Sequence, residues 1–358
     1  MTSTDPLART ASHGLWTLVA TFVPGVYGLA VAAYLLHTLP ADLYALWATG
    51  LALVGWLTLL DAGLGATIVR ETARSLVGDH PARLRVQAAN SVYQLLAVLA
   101  LGVGIVAALV LPALIGARGP DVQTGAVVAG LLVADFAIVL GTAAWTGLLR
   151  GAQRFDLLVL VNVAQVTVAI PLLIVLLPPL GIVGAAAAQL TGRIAARGLL
   201  AVLVRRQVDW FRLLPRRAAR ADVVGLMSFT LPILATQVAT QVGMGTAVFV
   251  VGAAWGAAAV GMYASGSQLI RYVGQFLFPA VNVLLPAFSS ADFLDAQRAP
   301  RLLRRTLLPV TAIGAAVFLG IAANGEAVMV LWAGDATALG TSVLIAHAIV
   351  FTLIAPAH

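Results

Sequence analysis

Apolar runs long enough to cross a bilayer follow one another along this chain, with short polar segments between them. A helix needs about 20 predominantly apolar residues to span the hydrocarbon core. Runs of that kind lie near 14–36, 43–66, 88–114, 124–148, 157–177, 181–204, 226–251, 257–288, 306–323 and 339–355, ten in all. The eighth is long and is expected to tilt, to project from the bilayer or to bend near Pro279. Of the 358 residues, 61% are hydrophobic and 10% charged, against about 25% charged in a soluble domain. A soluble protein of this length has no means of hiding so much apolar surface. The expected fold is an all-α polytopic membrane protein with about ten transmembrane helices.

The positive side chains are all arginine, and lysine is absent. That excludes a phosphate-loop lysine and a Schiff-base lysine. Cysteine is absent too, so disulfides, thiolate metal sites and cysteine nucleophiles are excluded. The histidines at 13, 37, 80, 347 and 358 have no metal-ligand spacing. No catalytic constellation stands in the chain; an enzyme is not expected, nor a cofactor. The pI near 10.7 does not point to nucleic acid, because the arginines flank apolar runs instead of forming one basic face.

Their placement follows the rule that cytoplasmic segments are basic. With a cytoplasmic N-terminus, 17 of the 21 arginines fall inside: Arg9; Arg70, Arg74, Arg83 and Arg85; Arg150 and Arg154; Arg205, Arg206, Arg212, Arg216, Arg217 and Arg220; and Arg298, Arg301, Arg304 and Arg305. Arg118 alone falls outside, and Arg193, Arg197 and Arg271 lie within runs. No cleaved signal peptide is expected, since the first apolar run is too long and lacks a small-residue cleavage site.

The segment 205–225 reads RRQVDWFRLLPRRAARADVVG. Trp210, Phe211, Leu213 and Leu214 stand among six arginines, which suits a short helix lying in the cytoplasmic interface. A solvated basic loop is the other reading. The two sides of this linker resemble each other. DLYALWATG and VGMYASGSQ align Tyr44 with Tyr263 and Ala45 with Ala264. A parallel repeat of six spans follows, the plan of many transporters. It divides the chain into a six-helix lobe at 1–204, the basic amphipathic linker at 205–225, and a second lobe at 226–358 with four helices.

Four stretches carry a family resemblance: LLDAGLGATIVRETAR (59–74), LLRGAQRFDLLVLVNVAQ (148–165), PPLGIVGAAAAQLTGR (178–193) and VGMYASGSQLIR (260–271). In order and spacing they resemble the polysaccharide-biosynthesis flippases, including the O-antigen flippases, of the multidrug/oligosaccharidyl-lipid/polysaccharide exporter superfamily. The resemblance implies two six-helix lobes around a central cavity, a bacterial cytoplasmic membrane, and movement of undecaprenyl-diphosphate-linked sugars between leaflets. Members have twelve or fourteen spans, so with ten the C-terminal lobe is expected to be incomplete. The same stretches have local readings. Gly63 and Gly65 permit a sharp turn after span two, and Asp61 is placed to accept from the next segment's amides or to couple an ion. Gly147 and Gly151 form a small-xxx-small contact, and the glycine and alanines of GIVGAAAA suit close packing.

Polar residues recur at helical spacing in several runs. Ser267, Gln268, Arg271, Gln275 and Asn282 fall within about 60° of one meridian at 100° per residue. Thr124, Asp135, Thr142 and Thr146 share a face of span four; Gln189, Arg193 and Arg197 recur on span six; Thr230, Gln237 and Gln241 recur on span seven. Such faces avoid lipid. Helix–helix contact accounts for the threonines and glutamines, while arginines favour a hydrated cavity. The expected substrate-binding residues are Arg271, Arg193, Arg197, Gln268, Gln275, Gln237 and Gln241. Asp135 and Asp61 are expected for coupling or charge balance, and Asp135 is one named partner for Arg271. A planar guanidinium suits diphosphate oxygens. The expected partners are a lipid-linked oligosaccharide, anionic membrane lipids, and polymerase or glycosyltransferase machinery. A cation-coupled drug antiporter with Asp135 as its acid, and a non-transporting membrane scaffold, are the alternatives. A membrane glycosyltransferase is disfavoured by short loops.

Overall fold

The computed structural model describes residues 6–61, 63–114, 119–216, 231–282, 299–334 and 338–354. The readings made on Arg118, Arg217, Arg220, Thr230 and Arg298 lie outside them. The described residues are helical throughout, without strands, apart from short connections. Helices are what hydrocarbon allows, because each backbone N–H and C=O is then paired within its own segment.

Thirteen α-helices are described: α1 (Pro6–Thr38), α2 (Ala41–Leu57), α3 (Leu64–Leu76), α4 (His80–Leu114), α5 (Pro120–Gly141), α6 (Ala143–Gly151), α7 (Phe155–Gln207), α8 (Leu231–Gly245), α9 (Ala247–Trp255), α10 (Ala257–Asn282), α11 (Ala299–Ala323), α12 (Gly325–Ala333) and α13 (Ala338–Ile354). Among the described residues, six helices are long and apolar enough to cross a membrane, or seven if the pair at 311–323 and 325–333, bent by 85°, is one span. This count does not confirm the expected ten. The expected spans 157–177 and 181–204 are counted once, as the two limbs of α7. Helix α10 has the length, but Ser265, Ser267, Gln268 and Arg271 dilute its apolar character. The last run gives only a short apolar helix, Leu339–Leu353.

The 53 residues of α7 would measure about 80 Å if straight, more than twice a hydrocarbon core of about 30 Å. They are not straight. After Pro178 and Pro179, Gly181 takes φ 55° and ψ −141°, outside helical space, a conformation open to a residue without Cβ. Residues at nearly equal distances on either side then meet. Arg154 bonds Gln207, and Arg193 bonds Gln165. A Cβ on Gly192 would stand 2.9 Å from the Gln165 carbonyl oxygen. The helix is an antiparallel hairpin with limbs at 155–180 and 182–207.

By packing, the chain forms two compact units, one of residues 42–260 and the other of residues 1–41 with 261–358. These units cut the chain elsewhere than the repeat-based lobes do. In the 42–260 unit, α4 lies along α5, α5 along α7, and α3 along α6. Fully buried Tyr44, Leu132, Leu148, Leu149, Ile182 and Leu200 fill its core. The small-xxx-small pair works as its spacing implies. A Cβ on Gly147 would come to 2.6 Å of Ile68, and one on Gly151 to 2.5 Å of Thr72. Helix α4 leaves Leu95, Val98, Leu99, Val103, Val106, Leu109 and Val110 exposed along its length, an apolar face that suits lipid and not water. In the other unit, Ala32 of α1 packs with Ile270, Phe318, Met329, Trp332, Leu344 and Phe351.

Two local expectations change. Of the DAGLG glycines, only Gly63 needs its freedom, at φ 78° before α3; Gly65 lies in regular helix. The linker is not an interfacial helix in its described part: α7 ends at Gln207 and residues 208–216 are non-helical. Side chains of α4 hold that stretch by its backbone, which satisfies groups that a helix would have paired internally.

Candidate functional site

The polar stripes of spans four and six meet inside the 42–260 unit. Asp135 of α5 is buried, and the second limb of α7 brings Gln189, Arg193 and Arg197 past it. Arg193 Nε donates to Asp135 Oδ1 at 2.9 Å and Nη2 to Oδ2 at 3.4 Å. Gln189 Nε2 donates to Oδ2 at 3.3 Å. Arg193 Nη1 also donates to Gln165 Oε1 at 2.7 Å, across the hairpin. The fork of the guanidinium thus engages both carboxylate oxygens, the strong geometry for such a pair. Asp135 has its cation here from its own unit.

One turn further along, Arg197 faces different company. Its Nη1 donates to Thr146 Oγ1 of α6 at 2.8 Å. Its Nε is buried without a hydrogen-bond partner, and no salt bridge reaches it among the described residues. It lines a cavity of about 320 Å³ with Asp61, Tyr93, Thr146, Arg150 and Gln237, walled by Val69, Phe136, Val139 and Leu140. The Oε1 of Gln237 is likewise buried and unpartnered. Among the described residues, Asp61 does not cap the amides of α3 as expected; it accepts a hydrogen bond from the Tyr93 hydroxyl of α4. Two arginines and one tyrosine-bound carboxylate therefore line one chamber. A cation taken from water must be paired or solvated, so the chamber has room and donors for an anionic guest. Among the described residues, no cluster of His, Cys, Asp and Glu is arranged to hold a metal ion.

The expected site residues divide between the units. Arg193, Arg197, Gln237, Gln241, Asp135 and Asp61 belong to the 42–260 unit, while Gln268, Arg271 and Gln275 belong to the other. Gln241 packs its amide against Gly55, where a Cβ would stand 2.8 Å away. Gln268 is buried and donates to the Tyr272 hydroxyl at 3.1 Å. Arg271 is half-buried and Gln275 exposed. Ser267 is buried and turned onto the Ala264 carbonyl.

Three features were not legible as sites. Arg150, placed by sequence as an inside anchor, lines the chamber. Glu71 of α3 is 1% exposed and sits among Arg70 at 3.1 Å, Arg85 at 3.3 Å and Arg74 at 3.8 Å. The signal was present, since Glu71 is the acid inside a run of arginines, R-E-T-A-R. Third, Gln87, Asn90, Ser91 and Gln94 at the start of α4 bind the chain at 212–216. Their spacing of three and four marks one helix face, but nothing local says what that face meets.

With this geometry in hand, comparisons place the chain among known proteins. A family model described as polysaccharide biosynthesis protein matches residues 11–292. No curated protein sequence gives a significant match. Among solved structures, the chain is similar to an inward-facing multidrug resistance MATE family transporter of the MOP superfamily, at TM-score 0.67 and 20% identity, over 92% of this chain and 78% of that one. An outward-facing MATE family transporter of the same superfamily matches at TM-score 0.61 and 20% identity, covering 97% and 79%. A MOP superfamily transporter from Pyrococcus furiosus, whose binding pocket is described as reversed in polarity, matches at TM-score 0.58 and 18% identity, covering 97% and 79%. At such identities the likeness establishes the fold.

Proposed function

We propose, from the premise that this chain belongs to the polysaccharide biosynthesis protein family, that it is a membrane exporter of the MOP superfamily that moves a lipid-linked oligosaccharide between leaflets. Its setting is the bacterial cytoplasmic membrane, with the N-terminus inside, beside the glycosyltransferase and polymerase machinery of a surface polysaccharide. The observation that carries the substrate class is Arg197. Among the described residues it lines the chamber without a carboxylate partner, with an unpaired Nε and with Arg150 also in the lining. Arginine stays cationic at any cellular pH. Cations held in a partly desolvated chamber bind diphosphate oxygens through charge-assisted hydrogen bonds, while the lipid tail stays in hydrocarbon. Alternation between two states then follows from a ligand that favours one of them.

The antiporter reading requires a carboxylate free to exchange its cation, and its candidate, Asp135, holds Arg193 and Gln189. The test is genetic and biochemical. Deleting the gene should cause lipid-linked oligosaccharide to accumulate on the cytoplasmic leaflet. Restoring Arg197→Gln at normal protein level should leave transport at least about ten-fold below wild type, the loss of roughly one charge-assisted contact. Unchanged lipid-linked intermediates with altered drug sensitivity would move the protein to the antiporters.

A further inference from the structure

The stretch from Arg205 to Arg216 has a construction that transport alone does not require. Gln87 forms a two-way bond with Arg212: its Nε2 donates to the Arg212 carbonyl at 2.9 Å, and its Oε1 accepts from the Arg212 N–H at 3.0 Å. Asn90 Nδ2 donates to the carbonyls of Arg212 and Leu213, and Gln94 donates to that of Leu213. The Arg216 N–H donates to Ser91 Oγ at 2.9 Å. Asn90 is itself held by Trp145 Nε1 at 3.0 Å. Val208 and Phe211 are buried beneath, and the Arg83 guanidinium lies 5.7 Å over the Trp210 ring.

Four polar side chains of α4 thus hold one strap by its main chain. A freely solvated loop has no use for such a clamp. With the backbone turned toward α4, the side chains of Arg212, Leu214 and Arg216 are left outward and exposed, beside exposed Arg205 and Arg206 at the end of the α7 hairpin. Leu214 is 77% exposed. Asp209 is the one acid in the strap, so the surface is strongly basic with an apolar tip. It begins where the second limb of α7, part of a helix long and apolar enough to cross a membrane, ends. We infer that this strap is a docking surface for the headgroups of anionic phospholipids in the cytoplasmic leaflet. The arginines meet phosphate and Leu214 dips into the acyl boundary, the combination by which basic, amphipathic surfaces bind anionic bilayers. The clamp makes the surface rigid, so binding costs little ordering entropy.

The absence of native cysteine makes the test clean. Leu214→Cys in the full chain, carrying an environment-sensitive fluorophore, is reconstituted in vesicles containing brominated phosphatidylglycerol or brominated phosphatidylcholine at equal mole fraction. At low salt the anionic lipid should quench at least about two-fold more than the zwitterionic one, and high salt should bring the two to parity. A second variant adds Arg205→Gln, Arg206→Gln, Arg212→Gln and Arg216→Gln, and should lose the preference while keeping its helical circular dichroism. Equal quenching by both lipids at low salt overturns the inference, as does quenching by neither, which would leave a solvated or protein-covered strap. Retention of the preference in the arginine-free strap overturns it as well.

Discussion

Arg193 and Arg197 stand one turn apart on the same limb of α7, within the same stripe, and their surroundings differ completely. Arg193 meets Asp135 across the helix contact and gives it two hydrogen bonds. Arg197 meets Thr146, keeps an unpaired Nε and borders a chamber. Nothing in either arginine causes the difference. It comes from the opposing helices: α5 is straight and packed where Asp135 sits, while the chain breaks at Thr142 between α5 and α6, and the chamber lies by that break. One arginine is spent on holding helices together. The other keeps an unpaired Nε at the chamber, where the proposed function places the phosphates of the ligand.

Removing Asp135 should give the largest effect. Asp135→Asn strands the Arg193 cation, and breaking one partner of a buried pair costs about 3–5 kcal/mol. Arg193 is partly exposed, at 21%, so the lower end is expected. Thermal unfolding followed by tryptophan fluorescence should show it, and Asp135→Asn/Arg193→Gln should recover more than half. A single variant as stable as wild type would break the distinction between the two arginines.

Tyr93→Phe comes next, because it leaves the Asp61 carboxylate facing the chamber without its donor. Losing a hydrogen bond to a charged group costs about 1.5–3 kcal/mol. Restoring stability with Asp61→Asn in the same chain would locate the cost at that carboxylate. The smallest stability effect belongs to Arg197→Gln. It removes one bond to Thr146 but also relieves an unpaired cation, so unfolding should shift by less than about 1 kcal/mol, even as transport falls. If Arg197→Gln unfolds as easily as Asp135→Asn, Arg197 is a packing residue and the contrast with Arg193 disappears.

The stripe of Gln189, Arg193 and Arg197 was legible because helical geometry puts every fourth residue on one face, and so was the face of Asp135 and Thr146. That these two faces touch was not legible. Their meeting depends on the reversal at Gly181, and a positive φ there is permitted by glycine without being demanded by it. Arg150 read as an anchor for the same reason: its position at the end of a run is visible, while its neighbours Asp61 and Tyr93 come from 89 and 57 positions earlier in the chain.

By itself the amino-acid sequence determined that this protein is helical and lives in hydrocarbon, because burying backbone in lipid allows few other forms. It also determined which residues share a face, because the helical period is local. Tertiary structure decided partners. It paired Asp135 with Arg193, closed Tyr93 onto Asp61, buried Glu71 among three arginines, and set the strap at 212–216 under the amides of α4. Each of these joins side chains on different helices, and the period of one helix carries no information about which face of another will lie against it.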